Sequence, residues 1–269
     1  MADPAALTAQ LLQIQLQAYE EQLLASRRYA APGNLARFQH QVFSQYGEDG
    51  VIAEIFRRIG VTTRTFVECG VGNGLENNTV YLLQQGWRGA WVDGSEKQVA
   101  GIRTAFARQI DQGRLSVARA LVTTENVEQV FAAVGVQADV DLLSLDIDRN
   151  TYWVWEALTG IRPRVVVIEY NALYPPPVDW IVEYRAERAW KGTSYFGASL
   201  CAYERLGREK GYALVGCSLN GVNAFFVREE LCGDLFDAPF TAARHYEPVR
   251  YFLIRRNGFP RAMNDDPVP

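Results

Sequence analysis

Apolar positions along the chain change period several times, and the changes mark out its elements. From Ala5 to Arg28, Leu12, Leu16, Tyr19 and Leu23 fall on one helical stripe with Gln13, Gln17 and Glu20 largely off it, and Pro32-Gly33-Asn34 ends the segment. Gly50 to Ile59 repeats the helical period through Val51, Ile52, Ile55, Phe56 and Ile59. Short apolar runs then alternate with amphipathic ones. Thr65 to Cys69 reads as a first strand, Glu76 to Gln85 as a short helix closed by Gly86, and Gly89 to Asp93 as a second strand. Leu115 to Ala118 is a third strand, Val127 to Val134 a helix, Val140 to Ile147 a fourth strand, Trp153 to Leu158 a helix and Arg164 to Tyr170 a fifth strand. Runs apolar on both faces and separated by helices predict a parallel sheet in an α/β layer fold. Tyr212 to Cys217 and Ala224 to Val227 flank a segment with Asn220-Gly221 turn chemistry, so they are expected to pair as an antiparallel hairpin. The expected fold is a Rossmann-like, mostly parallel seven-stranded sheet with a C-terminal antiparallel hairpin and an added N-terminal helix.

Bulk properties narrow the setting. With 269 residues, 48% of them hydrophobic, the chain can bury one sizeable core. Residues 1–34 form a helical appendage and 35–269 the main domain, with an aromatic-rich insertion at about 172–197. The appendage either caps its own domain or joins two copies of the chain. A net charge of -4, a pI near 5.4 and the lack of a basic block disfavour nucleic acid. Cys69, Cys201, Cys217 and Cys232 are scattered without a C-x-x-C pair, which predicts reduced thiols and no zinc site. No apolar run reaches the length of a membrane span, and Met1-Ala2-Asp3-Pro4 lacks a basic and then apolar leader, so a soluble cytoplasmic protein is expected.

The first strand empties into Glu68-Cys69-Gly70-Val71-Gly72-Asn73-Gly74. Alternating glycines let backbone N–H groups approach a ligand closely. A dinucleotide fingerprint wants its third glycine three positions after the second, where this chain has Leu75. The alternating form with a leading carboxylate suits S-adenosylmethionine, which has an amino-acid end to hold and no phosphate to cradle. Asp93, followed by Gly94, ends the second strand about 20 residues on, the separation at which an acid reaches ribose hydroxyls.

Further residues carry a resemblance: Ser44-Gln45-Tyr46-Gly47-Glu48-Asp49, Phe66 to Gly70, Asn78-Thr79, Gly86-Trp87-Arg88-Gly89 and Asp93. This ordered set resembles the FkbM-type methyltransferases over roughly Phe43 to Val227. The resemblance implies a Rossmann-like methyltransferase fold and S-adenosylmethionine-dependent O-methylation, commonly of sugars or of hydroxyls on glycosylated natural products. It adds Asn78 and Thr79 to the expected cofactor residues Glu68, Gly70, Gly72, Gly74, Asp93 and Gly94. One departure is Ile147-Asp148-Arg149-Asn150, where the family often has Val-Glu-Gly after the fourth-strand acid; a remodelled acceptor site is the expectation.

Asp146 and Asp148 end the fourth strand, and Glu169 with Asn171 ends the fifth. Open α/β sheets bind ligands at that edge. Alternation puts Asp146 and Asp148 on one side if the strand persists. With Glu169 and the Asn171 amide they form an oxygen-rich set suited to Mg²⁺ or another hard divalent ion, which would lower the pKa of an acceptor hydroxyl. Alternatively one aspartate is the sole base or caps a helix. Asp148 is the preferred catalytic residue, with Glu169 and Asp146 as partners; His40 and His245 are outside candidates. The insertion's Tyr174, Trp180, Tyr184, Trp190, Tyr195 and Phe196 offer faces for a sugar, and Arg185, Arg188 and Lys191 suit an anionic group; a self-packed loop fits as well. Arg149 and Asn150 are also candidates to face the acceptor. An NAD-dependent oxidoreductase and a noncatalytic Rossmann-like binding protein or scaffold are the competing classes.

Overall fold

The computed structural model describes residues 4–253 and 261–263; the first three residues of the opening segment and parts of the C-terminal end of the main domain lie outside these. Seven strands form one sheet: β1 (Thr65–Cys69), β2 (Arg88–Asp93), β3 (Leu115–Arg119), β4 (Leu142–Leu145), β5 (Val165–Glu169), β6 (Tyr212–Cys217) and β7 (Asn223–Arg228). Their order is β3-β2-β1-β4-β5-β7-β6. Strands β1 to β5 pair in parallel, whereas β7 runs antiparallel to both β5 and β6. This is the Rossmann-like, mostly parallel seven-stranded sheet with a C-terminal antiparallel hairpin expected from the strand pattern. The order changes direction at β1 and β4, so their carboxyl ends open a crevice.

Alternation along the strands divides the core in two. Phe66, Leu142, Val165 and Val167 pack with Val51, Ile52, Ile55 and Phe56 of α2 (Glu48–Ile59). Val67, Leu143, Leu145, Val166 and Ile168 face the other layer. There they meet α6 (Val127–Ala133), α7 (Thr151–Ala157) and α8 (Leu200–Glu209), with Trp155, Tyr203 and Phe226 at the centre. Helix α2 has Glu48 and Asp49 in its first turn and Arg57 and Arg58 in its last, in the sense that offsets the helix dipole. The remaining helices are α1 (Pro4–Leu24), α3 (Val80–Gln84), α4 (Glu96–Ala105), α5 (Ala107–Asp111) and α9 (Ala242–His245).

Several elements differ from the sequence expectation. Helix α3 begins at Val80 rather than Glu76, because the Glu68 carboxylate captures the N–H groups of Asn78 and Thr79 and holds 76–79 as a turn. Helix α1 stops at Leu24, and a separate 3₁₀ turn covers Arg27–Tyr29. Helices α4 and α8 were not anticipated; each starts at a serine, Ser95 or Ser199, whose hydroxyl accepts a backbone N–H three residues on. Helix α1 has no buried residue, but its Tyr19 ring meets Phe252 at 5.7 Å and Leu23 and Leu24 pack against the cluster of Tyr29, Ala36 and Leu219. All four cysteines are free thiols. Among the described residues no helix is long and apolar enough to cross a membrane.

Candidate functional site

At the end of β1 the chain turns through three glycines with different duties. Gly70 has φ +82°, and a Cβ there would lie 1.6 Å from the carbonyl oxygen of Asp146. Gly72, at φ +55°, donates its N–H to Asp93 Oδ2 at 2.9 Å. A Cβ on Gly74 would meet Trp91 and Phe106 at 2.9 and 3.0 Å, so this glycine serves packing beneath the turn. Gly70 and Gly72 line a cleft of about 240 Å³; Gly74 does not.

Glu68 is the anchor of this turn. It is buried and accepts from Asn77 Nδ2 (2.7 Å), Asn78 N (2.9 Å), Thr79 N (3.0 Å), Thr79 Oγ1 (2.6 Å) and Ser144 Oγ (3.1 Å). Burial pushes its carboxyl pKa up, and these donors oppose the rise. The Thr79 hydroxyl, fully buried, also accepts from Trp91 Nε1 at 2.7 Å. Thr79 is therefore a support under the cleft rather than part of its wall, which corrects its expected role in contacting cofactor. Asn78 does line the cleft, with Nδ2 donating to Ser144 Oγ at 3.1 Å. Asp93 spends one oxygen on Gly72 and the other on Ser95 N at 2.8 Å, at an edge next to the cleft, with exposed Gly94 beside it.

The opposite wall comes from the segment before α2. Asp49 Oδ2 accepts the N–H groups of Val42 (2.8 Å), Phe43 (2.6 Å) and Ser44 (2.8 Å), while Ser44 Oγ accepts from Asp49 N at 3.1 Å. Glu48 accepts from Tyr46 N at 3.0 Å and from Asn223 Nδ2 at 2.8 Å. Burial raises its pKa to about 7. This folded loop presents Gln45 and Tyr46 to the cleft, which Asn223 from β7 and Asn77 from the glycine turn complete. The sequence reading gave none of these four a role. The run Ser44 to Asp49 that carries the resemblance was the available signal for the first two; Asn223 had none, since β7 reached the site only through its antiparallel pairing beside β5.

Asp146, Asp148 and Glu169 converge at the carboxyl ends of β4 and β5, with one carboxylate oxygen from each within 4.8 Å of the others. Strand alternation does not bring them together. Strand β4 stops at Leu145, and Asp148 reaches the group through a left-handed backbone with φ +56°. Burial first, and then the charge of Asp148, raises the pKa of Asp146 to about 7, and burial with the charge of Asp146 holds Glu169 well above the ordinary carboxylate range. Asp148 is half-buried and is raised by burial and by the charge of Asp93. Three acids this close retain protons unless a cation joins them, and hard divalent ions take such oxygen donors.

Asn171 departs from the expected ligand set. Its Nδ2 donates to the carbonyls of Ser194 and Phe196, both at 2.9 Å, and its Oδ1 accepts from Leu173 N at 3.2 Å. The amide is committed to holding the insertion. Arg149 and Asn150 are likewise buried and bind the insertion's carbonyls at Glu183 and Arg185, both at 2.8 Å, instead of facing open space. The insertion's aromatics are largely spent on one another: Tyr174 stacks on Trp180 with centroids 4.2 Å apart, and Trp190 packs on Phe196 at 5.5 Å. His40 is exposed beside a neighbouring cleft. His245 is buried near Asp237, Arg244 and Arg28, and burial lowers its pKa to about 4.

No protein-family model and no curated protein matches the chain. Among solved structures it is similar to a putative caffeoyl-CoA O-methyltransferase from Staphylococcus aureus, at 14% identity over 81% of this chain and 98% of that one, with a TM-score of 0.46. It is also similar to the N-terminal domain of EvdMO1 with SAH bound (12% identity, 80% and 94% covered, TM-score 0.44). A third likeness is to a SAM-dependent methyltransferase from Aquifex aeolicus (9% identity, 68% and 88% covered, TM-score 0.40). At these identities and scores the likeness is one of chain fold.

Proposed function

We propose that the protein is an S-adenosylmethionine-dependent O-methyltransferase, acting with a divalent cation on a hydroxyl of a sugar, glycan or glycosylated natural product. The observation that carries this reading is the convergence of Asp146, Asp148 and Glu169 beside a glycine-turn cleft. Asp146 belongs to both, so a group held by the acids lies next to a ligand in the cleft.

Gly70 and Gly72 line the cleft, Gly72 with open space beside it, and among the described residues no lysine or arginine lines it to bind phosphate. That favours S-adenosylmethionine over a dinucleotide. The sulfonium cofactor supplies an electrophilic methyl group, and a divalent ion held by Asp146, Asp148 and Glu169 would lower the pKa of an acceptor hydroxyl. Asp148, the most exposed member of the three, is assigned the acceptor proton. Asp93 retains acceptor capacity for ribose hydroxyls, since each of its oxygens takes one backbone N–H. The insertion, pinned by Asn171, Arg149 and Asn150, forms a fixed wall in this reading.

The test is a transfer assay with methyl-labelled S-adenosylmethionine, a panel of nucleotide sugars, methyl glycosides and glycosylated natural products, and Mg²⁺ or Mn²⁺ against EDTA. Cation-dependent label transfer that Asp148→Asn abolishes is the expected result. Thermal stabilisation by NAD and not by S-adenosylhomocysteine would replace this reading with the oxidoreductase one, and stabilisation by neither would favour a noncatalytic binding protein.

A further inference from the structure

The wall of the glycine-turn cleft carries an excess of hydrogen-bond acceptors. Glu68 and Asp146 line it, and Glu76, also in the wall, is paired with Arg261 at 3.3 Å. Asn77 of the glycine turn and Asn223 of β7 both line it, and the carbonyl oxygen Oδ1 of each is buried with no hydrogen-bond partner among the described residues. Their NH₂ groups are already used. Asn77 Nδ2 donates to Glu68 Oε2 at 2.7 Å, and Asn223 Nδ2 donates to Glu48 Oε1 at 2.8 Å. In each pairing the amide NH₂ donates to a carboxyl oxygen, so the amide carbonyl is turned away from the acid. Both acids are in turn fixed, Glu68 by Thr79 and Asn78, and Glu48 by the N–H of Tyr46.

A buried carbonyl without a donor is costly, and two on one cleft call for a ligand group rich in N–H donors. We propose that Asn77 and Asn223 together recognise the α-ammonium group of S-adenosylmethionine, Asn77 from the glycine turn and Asn223 from the last strand of the sheet. This assignment rests on the cofactor reading above. An ammonium group brings three donors and a positive charge, which suits two amide carbonyls set among Glu68 and Asp146. A hydroxyl would satisfy one carbonyl and leave the charge of the acids unanswered. Asn223 pairs with Glu169 in the β5–β7 register, so one strand pair serves both the acidic group and the ammonium. Asn223 and Asn77 are thus positioning residues for the cofactor, aimed by Glu48 and Glu68.

Calorimetric titration with two probes isolates the amine: S-adenosylhomocysteine, and its deaminated analogue in which hydrogen replaces the α-amine. The unsubstituted protein is expected to prefer S-adenosylhomocysteine. Asn223→Ala is expected to weaken S-adenosylhomocysteine about tenfold and leave the deaminated analogue unchanged. Asn77→Ala, read the same way, keeps the test decisive if Asn223→Ala does not fold. Equal losses for both probes, or none, in a folded variant would overturn the assignment alone. Failure of the unsubstituted protein to bind either probe would overturn the cofactor reading and this assignment with it.

Discussion

Gly70 and Asp146 meet so closely that the carbonyl oxygen of Asp146 occupies the place a Cβ on Gly70 would need, 1.6 Å away. The end of β1 and the end of β4 are therefore locked together, and the Asp146 N–H reinforces the lock by donating to Cys69 O at 3.1 Å. Gly70→Ala must separate them and also strain a residue at φ +82°. A loss of about 3 kcal/mol or more in unfolding free energy is expected. Gly72→Ala meets no atom within 4 Å and bears only the strain of φ +55°, so it is expected to cost about 1 kcal/mol. Urea denaturation of the two variants checks the order; equal losses would contradict it.

Five donors converge on Glu68, and Glu68→Gln keeps the shape while placing an NH₂ group against them. At least one donor pair then faces another donor in a buried site. The expected loss is about 2–4 kcal/mol, together with loss of S-adenosylhomocysteine binding as the Asn77-Asn78-Thr79 turn relaxes. Chemical denaturation and a titration on the same variant measure both. Full stability in Glu68→Gln would mean that the carboxylate does not organise the turn.

The strand pattern carried most of the architecture because runs such as Val165 to Ile168 are buried on both faces and so lack any competing periodicity. The site was harder to read, since an acid's identity does not tell which edge of the sheet it reaches or what it faces. Asp141 is as buried as any of the candidate acids, yet it sits at the opposite end of β4 and accepts the N–H groups of Thr62, Thr63 and Arg64. Asn171 looked like a ligand from its place after β5 but is consumed by the carbonyls of Ser194 and Phe196, residues more than 20 positions away that no local pattern points to. Asn223 entered the cleft only through strand order, a long-range property. Asp146 and Asp148 do lie close together, but a left-handed residue and not strand alternation joins them.

The contrast between Asp146 and Asn171 can be measured directly. In the reading above, Mn²⁺ raises the melting temperature of the unsubstituted protein at pH 8 by binding the folded state, and Asp146→Asn removes that rise. Asn171→Ala cuts the insertion's two carbonyl anchors and is expected to lower stability by about 2 kcal/mol while keeping the response to Mn²⁺. Scanning calorimetry with and without the ion separates the two. Loss of the response in Asn171→Ala and its survival in Asp146→Asn would reverse the assignments.

Glu48 makes stability depend on pH in a direction that can be stated in advance. Burial raises its folded pKa from 4.5 to about 7, so between those values the native state keeps a proton that the unfolded state has lost. Fewer protons are then bound on unfolding, and the contribution of Glu48 to stability falls as pH rises from about 4.5 to 7 and levels off above. Glu48→Gln removes this titration. Relative to the unsubstituted protein, the variant is expected to gain on the order of 3 kcal/mol between pH 4.5 and pH 8, whatever constant cost its altered bonds to Tyr46 and Asn223 impose. Because the difference between the two proteins cancels the titration of the Asp146, Asp148 and Glu169 group, unfolding curves at the two pH values isolate Glu48. A difference that does not change with pH would show that Glu48 is ionised at an ordinary pKa in the folded protein.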